Sequence, residues 1–537
     1  MEHSATQKRR KIGVAPSSGQ AAHLSVSTAG GGDSFNSVLD TAGKLIAPDG
    51  SVWREVDLST QRQEVGKRAA ENVLKEVPGP TPHAKRYVTE DSVSSAWRLF
   101  FDNTILEHIR KCTEAEARRQ LGDDSRWSLS LNELEAYIGL LYARGVSGAK
   151  NIPVLDLWSK DWGLAICKST MSRNRFLEIA RFIRFDVKST RSARLQTDKF
   201  ALFSYVWNRF IENCQAAYIP GAFITIDEQL FPSNTRCPFT QFMPAKPDKY
   251  GQKYWLAVDV EANYLVNGFP YLGKNDKRGC NERLSDFVVM KLMQPFLGKG
   301  RNVTTDNYFT SVELAKNLKQ KKTSLLGTVN KARREIPREI KKVKYPLYDC
   351  KFYKNDDASL TVYQGKKNKH VILLSTMHSS IGIDGNPKKT PETVKDYNQT
   401  KCGVDIVDAM AKSNSVKASS RRWPVHSFYN TLDLAAINAY VVYKKLTTNS
   451  LSRKKFLRRL SEELTSENRK ARNYIPDPDS ELESDDSVDE PPGKRQACQL
   501  RRNCKTNHSV GKCKKRVCGK CSAKTLHVCV KCSEVAH

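Results

Sequence analysis

The sequence predicts a mixed α/β protein, and three observations carry that prediction. Apolar residues keep helical spacing from residue 91 to about 220. At Gly221 the period changes to that of strands, and three strands are followed by alternating helices and strands in the order β-β-β-α-β-α-β. A chain of 537 residues also exceeds the size of one simple core, so several domains are expected.

Helices are predicted on both sides of this sheet. The first block, residues 91–220, is indicated by apolar periodicity around Trp97 and Leu134 and by patterns over 171–185 and 203–218. The second block, residues 415–475, contains helical patterns over 428–443 and 452–464. Residues 1–90 are poor in periodic apolar structure, so we predict disorder there apart from a short helix near 61–74.

The sheet itself is predicted from strands over 223–227, 253–260, 264–268, 302–305 and 324–329, with helices over 285–296 and 311–320. Asp227 ends the first strand, and Asp306 directly follows the fourth. In a ribonuclease-H-like sheet the first and fourth strands are neighbours, so these two carboxylates are expected to meet. Residues 333–395 are predicted to be a β-rich insertion, and residues 396–414 a second part of the core.

Four aspartates are candidates for a catalytic site: Asp227, Asp306, Asp405 and Asp408. The last two lie three residues apart and share one face of a predicted helix over 404–410. Phosphodiester chemistry with two Mg²⁺ ions needs such carboxylates, because Mg²⁺ prefers oxygen ligands. The same residues also suit strand ends, turns and helix starts. Spacing does not exclude Asp259 and Asp286 as rivals.

Composition indicates the partner. Lys and Arg total 88 against 58 Asp and Glu, a net charge of +30, which favours a nucleic-acid partner. No run of about 18 apolar residues predicts a membrane span, and the N-terminus does not have the form of a signal peptide. We therefore expect the chain to stay inside the cell. Residues 8–11, Lys-Arg-Arg-Lys, predict a nuclear address, although such a run also suits a solvated tail.

The C-terminal end is predicted to bind zinc. An acidic linker, residues 476–495, precedes a segment, 496–537, that holds seven of the 14 cysteines. In a reducing compartment this crowding favours zinc over disulfides. Seven cysteines and one histidine would supply two zinc ions, and the candidates number one more than needed: Cys498, Cys504, His508, Cys513, Cys518, Cys521, Cys529, Cys532 and His537. His527 is a less favoured alternative.

The same segment is predicted to bind DNA. Residues 491–537 contain 12 Lys or Arg and one acidic residue, Glu534. That excess favours phosphate contacts over a module that binds protein alone. Lys514, Lys515 and Arg516 are the candidate contacts.

Longer motifs resemble the piggyBac-type DDE/D transposase family. They span about residues 99–443 and include ITIDEQLFP, MPAKPDKYGQKYW, NGFPYLG, VTTDNYFTS, KCGVDIVDAM and RRWPVHSFYN. The resemblance implies that Asp227, Asp306 and Asp405 bind Mg²⁺ or Mn²⁺, with Asp408 close by. It also implies a ribonuclease-H-like core, a helical dimerisation and DNA-binding domain, and a cross-brace zinc finger.

The implied reaction is cut-and-paste transposition by a homodimer on double-stranded DNA. Transposon ends would be nicked, hairpins formed, and the element joined into TTAA sites. Trp423, in RRWP, matches a family tryptophan near the DNA, and Arg421 and Arg422 beside it are further candidate contacts. Packing under a Pro-capped helix is the alternative for Trp423.

The chain departs from the family pattern in two places. FPSNTRCPF stands where relatives carry a Gly-Arg pair, and Cys402 stands where a second Gly is common. All four aspartates are nevertheless kept. This favours an active Mg²⁺-dependent transposase over a transposase-derived DNA-binding protein that has lost transposition, or a nuclease without strand transfer.

Overall fold

The computed structural model describes residues 44–57, 73–122, 124–273, 282–342 and 345–472, together with the backbone of four short strands between residues 496 and 529. The chain divides into two units, residues 1–474 and 475–537. No helix in the described ranges is both long and apolar enough to cross a membrane.

The strands of the larger unit are β1 (Lys44–Ile46), β2 (Val52–Val56), β3 (Gly79–Pro80), β4 (Tyr218–Ile219), β5 (Phe223–Pro232), β6 (Gln241–Phe242), β7 (Tyr250–Asp259), β8 (Tyr264–Pro270), β9 (Asn302–Thr305), β10 (Ser324–Thr328), β11 (Cys350–Lys354), β12 (Ser359–Lys366) and β13 (Lys369–Ser375). The helices are α1 (Pro82–Tyr87), α2 (Val93–Arg98), α3 (Asn103–Leu121), α4 (Leu131–Val146), α5 (Val154–Leu157), α6 (Ala165–Thr170), α7 (Arg173–Phe182), α8 (Lys188–Leu195), α9 (Ser204–Ala217), α10 (Leu284–Met293), α11 (Val312–Gln320), α12 (Arg338–Lys342), α13 (Glu392–Thr400), α14 (Gly403–Lys412), α15 (Trp423–Leu446) and α16 (Arg453–Ala471).

One sheet of eleven strands runs through the larger unit in the order β1-β2-β11-β12-β13-β10-β9-β5-β7-β6, with β8 also paired to β7. Its core strands lie in the order β8-β7-β5-β9-β10. Within them β7 is antiparallel to both neighbours, whereas β5, β9 and β10 are parallel. The first and fourth predicted strands, β5 and β9, are therefore neighbours, which confirms the expectation on which the site depends.

β5 is longer than predicted, and this corrects the place of Asp227. Pairing with β7 continues from Ile224 to Pro232, whereas pairing with β9 ends at Ile226. Asp227 therefore lies in the middle of a strand, at the point where its parallel neighbour ends. The sequence pattern did not show the continuation, because the polar residues Glu228 and Gln229 interrupt the apolar run.

The insertion extends the core sheet. β13 pairs antiparallel with β10, and β12 and β11 follow. β2 then pairs with β11, so residues 44–56 add edge strands to the sheet. Disorder was predicted for this segment, and the prediction is wrong here because long-range pairing orders it. Trp53 anchors it: the side chain is buried, and its indole N–H donates to the carbonyl of Glu335 at 3.0 Å.

The predicted helix near 61–74 lies almost entirely outside the described residues. The two predicted helical blocks pack on each other. Tyr142 of α4 donates a hydrogen bond to the carbonyl of Leu432 in α15 at 2.8 Å, and accepts one from the indole of Trp97 in α2. Glu463 of α16 accepts from the backbone N–H of Val93 and Ser94 at the start of α2. One helical body is thus built from segments on both sides of the core.

In the smaller unit, β14 (Gln496–Ala497) pairs antiparallel with β15 (Lys505–Thr506), and β16 (Ser522–Ala523) with β17 (Val528–Cys529). Apart from the backbone of Cys529, the candidate zinc ligands lie outside the described residues. So do Lys514, Lys515, Arg516, the acidic linker and residues 8–11. These assignments stay predictions.

Candidate active site

Asp227 and Asp306 meet where β5 and β9 run side by side. Ile226 of β5 pairs with Thr305, the last residue of β9, and the residue that follows each of them is one of the two aspartates. Burial raises the pKa of Asp227 to about 7, and the negative charges of Glu228 and Asp306 act in the same direction. Burial, followed by the charge of Glu228, also raises the pKa of Asp306. The two carboxylates thus share a site with too little positive charge.

Backbone N–H groups fix the orientation of both carboxylates. The amide of Glu228 donates to Oδ1 of Asp227 at 2.8 Å, and the amide of Tyr308 donates to Oδ1 of Asp306 at 3.0 Å. Each bond favours the ionised form but does not offset the opposing effect of burial. One oxygen of each carboxylate thereby has a backbone partner.

Glu228 is a third acid at this site, and sequence reasoning missed it. Its carboxylate lies 3.6 Å from Nζ of Lys246 and 3.8 Å from Nζ of Lys253. Side chains alternate along a strand, so the strand pattern alone does not group Glu228 with Asp227. The adjacent acid in the motif IDEQ was the available signal.

Lys253 supplies counter-charge from β7. Its ammonium lies 3.7 Å from the ring centroid of Trp255, which holds it against an aromatic face. Burial lowers the pKa of Lys253, while the charges of Glu228, Asp227 and Asp306 oppose that change. Lys253 therefore offsets part of the repulsion among the three acids.

Replacing Lys253 by Met tests that role. Without divalent cations, we expect a loss of about 1–2 kcal/mol in unfolding free energy at about pH 8, because the ionised acids then repel one another with less counter-charge nearby. The loss should shrink towards about pH 5, where the acids with raised pKa values take up protons. Urea unfolding at both pH values measures it, with Lys253→Arg as the charge-preserving control. An equal loss at both pH values would mean that Lys253 acts through packing alone.

α14 brings Asp405 and Asp408 towards this face. Gly403 permits the approach: a Cβ there would lie 3.1 Å from Thr225 Oγ1 of β5. Asp405 is exposed on the first turn. Asp408 accepts from the Gln229 amide at 3.2 Å and lies 2.9 Å from Nζ of Lys412. Asp408 thus has one amide partner and one ammonium partner at the site.

The four aspartates do not all close on one point. Among the described residues, Asp227, Asp306 and Asp405 do not form a group whose ligand atoms all lie within 4.8 Å of one another. The rival acids have other roles. Asp259 is buried and accepts from the backbone N–H of Gly221 and Ala262, and Asp286 pairs with Arg283 at 3.1 Å.

The RRWP segment separates into three different environments. Trp423 is buried and packs against the rings of Phe200 and Phe239, so the packing alternative describes its place. Arg422 donates to the carbonyls of Ala180 and Ile183 at the end of α7, and burial lowers its pKa to about 10. Of these three side chains, only that of Arg421 is exposed.

Arg421 lines a groove of about 840 Å³ between the helical body and the loop after β5. Four more cations line it, Arg144, Lys150, Arg236 and Lys417, and no acidic residue does. Burial lowers the pKa of Lys417, whose ammonium lies 5.6 Å from the ring centroid of Phe231. A groove with this charge suits a polyanion.

Two comparisons define the class of the protein. A family model described as Transposase IS4 matches residues 93–440. A solved chain, a piggyBac transposase in a cryo-EM synaptic complex with hairpin DNA, is 32% identical, with a TM-score of 0.70 over 84% of this chain and 100% of that one. This chain therefore belongs to the piggyBac-type DDE/D transposase family.

Two human proteins are further relatives. PiggyBac transposable element-derived protein 3 is 24% identical over 386 residues, which cover 67% of this chain and 63% of that protein. PiggyBac transposable element-derived protein 2 is 22% identical over 420 residues, which cover 75% of this chain and 68% of that protein. The chain thus spans less than two thirds of the length of the first of these relatives.

Proposed function

We propose that this chain is a DNA transposase whose chemistry takes place at Asp227, Asp306 and Asp405. The parallel pairing of β5 with β9 carries the proposal, because it sets the first two acids side by side. The strand order β8-β7-β5-β9-β10, with β7 antiparallel, supports a ribonuclease-H-like core.

The site fits Mg²⁺ or Mn²⁺. Its donors are carboxylate oxygens, the ligands that these hard cations prefer. Lys246 and Lys253 lie against Glu228, and the pKa values of Asp227 and Asp306 remain raised. Asp227, Asp306 and Asp405 would hold two ions, which when bound would activate the attacking oxygen and stabilise the leaving oxygen of a phosphodiester.

The protein's own groups orient this site. Backbone N–H groups of Glu228 and Tyr308 hold one oxygen of Asp227 and one of Asp306. Gln229 and Lys412 hold Asp408, which we assign to supporting α14 and not to binding metal. Asp405 is exposed on the first turn of that helix, and we propose that it closes on the other two acids when cations bind.

The proposed partner is double-stranded DNA, whose phosphates would enter the basic groove. The resemblance to the family supports the finer steps: nicking at transposon ends, hairpin formation, joining into TTAA, and work as a homodimer. The cysteine-rich segment, with two zinc ions, would bind transposon ends, and residues 8–11 would direct the chain to the nucleus.

An excision-and-integration assay with a matched donor tests this function. Asp384, an acid that pairs with Lys395 and is not among the three proposed metal ligands, supplies the control variant Asp384→Asn. We expect the parent chain and this control to leave repaired donors and integrated copies. Asp227→Ala, Asp306→Ala and Asp405→Ala should do neither. Cleavage without joining would identify a nuclease. DNA binding that is equal in all the proteins, without cleavage, would identify a transposase-derived binding protein, the alternative in keeping with the element-derived human relatives.

Adjacent arginines provide a matched test of the groove. Arg421→Gln should weaken DNA binding with little change in melting temperature. The slope of the logarithm of the DNA-binding constant against the logarithm of salt concentration should fall by about 1, the value for one phosphate contact. Arg422→Gln should instead cost about 1–3 kcal/mol of stability, because two partly buried carbonyls lose a charged donor. Fluorescence anisotropy at several salt concentrations and thermal unfolding separate the two. A stability loss for Arg421→Gln would contradict the assignment.

A further inference from the structure

A second group of metal-ligand side chains lies at the N-terminal half of α13. His378, Glu392 and Asp396 place one ligand atom each within 4.8 Å of one another. Glu392 and Asp396 are one turn apart, so both carboxylates lie on the same face of the helix. His378 reaches them from the turn after β13, and its side chain is only 6% exposed.

Hydrogen bonds fix the orientation of His378. Ser375 Oγ accepts from the backbone N–H of Met377 at 3.1 Å and of His378 at 3.2 Å. With those lone pairs used, the Ser375 hydroxyl proton is left to donate to Nδ1 of His378, 2.8 Å away. Nε2 therefore carries the imidazole proton and faces Oδ2 of Asp396 at 3.1 Å. The imidazole is held with one nitrogen aimed at the carboxylates.

The carboxylates have little other compensation. Within the described part of the chain, His378 is the ion-pair partner of Asp396, and no ion pair involves Glu392. Glu392 Oε2 accepts a long bond of 3.4 Å from the amide of Gly382. Lys395, on the same helix, pairs with Asp384. Two acids therefore share a single imidazole.

We propose that His378 Nε2 and carboxylate oxygens of Glu392 and Asp396 bind a zinc ion. One imidazole and two carboxylates are ligands that Zn²⁺ accepts, and three protein ligands leave a position for water. The ion takes the place of the Nε2 proton, which leaves to solvent when zinc binds. This site uses none of the catalytic acids and none of the cysteine-rich segment's residues.

The ion links the insertion to the strands that carry the catalytic acids. His378 follows β13, and its carbonyl accepts from Ser359 Oγ of β12 at 3.0 Å. At the other end of α13, Thr400 accepts from the hydroxyls of Thr225 in β5 and Thr304 in β9. Those threonines lie two residues before Asp227 and Asp306. Zinc would therefore stiffen α13, the helix that contacts β5 and β9.

Zinc content of the full-length chain tests the site. Wild type, His378→Gln and Asp396→Asn are dialysed against Zn²⁺ with excess Mg²⁺, and zinc per chain is measured by atomic absorption. Both variants should hold one zinc ion fewer than wild type. Asp384→Asn, which alters a nearby acid outside the group, should match wild type. When the zinc is replaced by cobalt, His378→Gln and Asp396→Asn should lose one cobalt ion with no loss of the thiolate-to-metal charge-transfer band, because the proposed site contains no cysteine.

Equal zinc content in all four proteins would overturn the proposal. A loss accompanied by a weaker thiolate band would also overturn it, because the zinc would then have left the cysteine-rich segment. If His378→Gln lowers the melting temperature in chelator, its zinc loss could come from a damaged fold. Asp396→Asn, which keeps the side-chain shape, then decides the outcome. Excision activity is not the readout, and failure of the transposase proposal leaves this test intact.

Discussion

Replacing Asp227 by Asn is expected to abolish strand cleavage and, without divalent cations, to stabilise the folded protein at about pH 8. Activity should fall on the order of 10³-fold or more, since an amide does not replace a metal-binding carboxylate. Stability should rise because the Asp227 carboxylate, with a pKa of about 7, is ionised at that pH beside Glu228 and Asp306. Removing one buried charge relieves that repulsion by about 2–4 kcal/mol.

The raised pKa of Asp227 also sets the direction in which stability changes with pH. The folded-state pKa of Asp227 lies above its ordinary value of 3.8, so between those values the folded state binds a proton that the unfolded state lacks. Wild type should therefore lose stability as pH rises from about 4 to 7, and the Asn variant should lose less. Urea unfolding with chelator measures both curves. Curves that stay parallel across this window would show that Asp227 is not electrostatically strained.

Adding Mg²⁺ tests whether Asp227 binds a cation. Millimolar Mg²⁺ should raise the melting temperature of wild type, because an ion that binds only the folded state stabilises it. The same addition should have a much smaller effect on Asp227→Asn. An equal rise in both proteins would place the stabilising ion elsewhere.

Replacing Arg301 by Met should cost about 3–5 kcal/mol of unfolding free energy. Its side chain is fully buried and donates to the carbonyls of Pro220 and Gly221 and to Oε2 of Glu76 at 2.7 Å. Met leaves those acceptors without a donor. Although burial opposes it, hydrogen bonds from Lys299 and Arg301 hold the pKa of Glu76 below its ordinary value.

Hydrogen exchange locates that effect. The loss should be accompanied by faster amide exchange in residues 73–80, because Arg301 ties this segment to the start of β9. Lys299→Met is the control: Lys299 also pairs with Glu76 at 2.7 Å, but its side chain is 41% exposed. That pair is expected to contribute no more than about 1 kcal/mol. Equal losses in both variants would mean that burial of Arg301 contributes nothing specific.

Local patterns predicted most regular elements of the core. β9 has the predicted bounds, and the helix predicted over 311–320 is observed as α11. These elements carry their own signals, such as the apolar period and the Ser311 cap, so neighbouring residues suffice to define them. β1 and β2 carry no such signal: β2 pairs with β11, about 300 residues further along the chain, and β1 pairs with β2.

The functional features likewise divide into those that the sequence shows and those that only the structure shows. The sequence by itself determined the family and the positions of Asp227, Asp306 and Asp405, and its net charge of +30 led us to expect a polyanionic partner, since motif order and net charge are properties of the chain. Only the tertiary structure decided that Glu228 and Lys253 join the acids, that Trp423 and Arg422 are packed inside, and that Arg421 faces a basic groove. Burial and the approach of distant charges set those roles, and both depend on which strands and helices become neighbours.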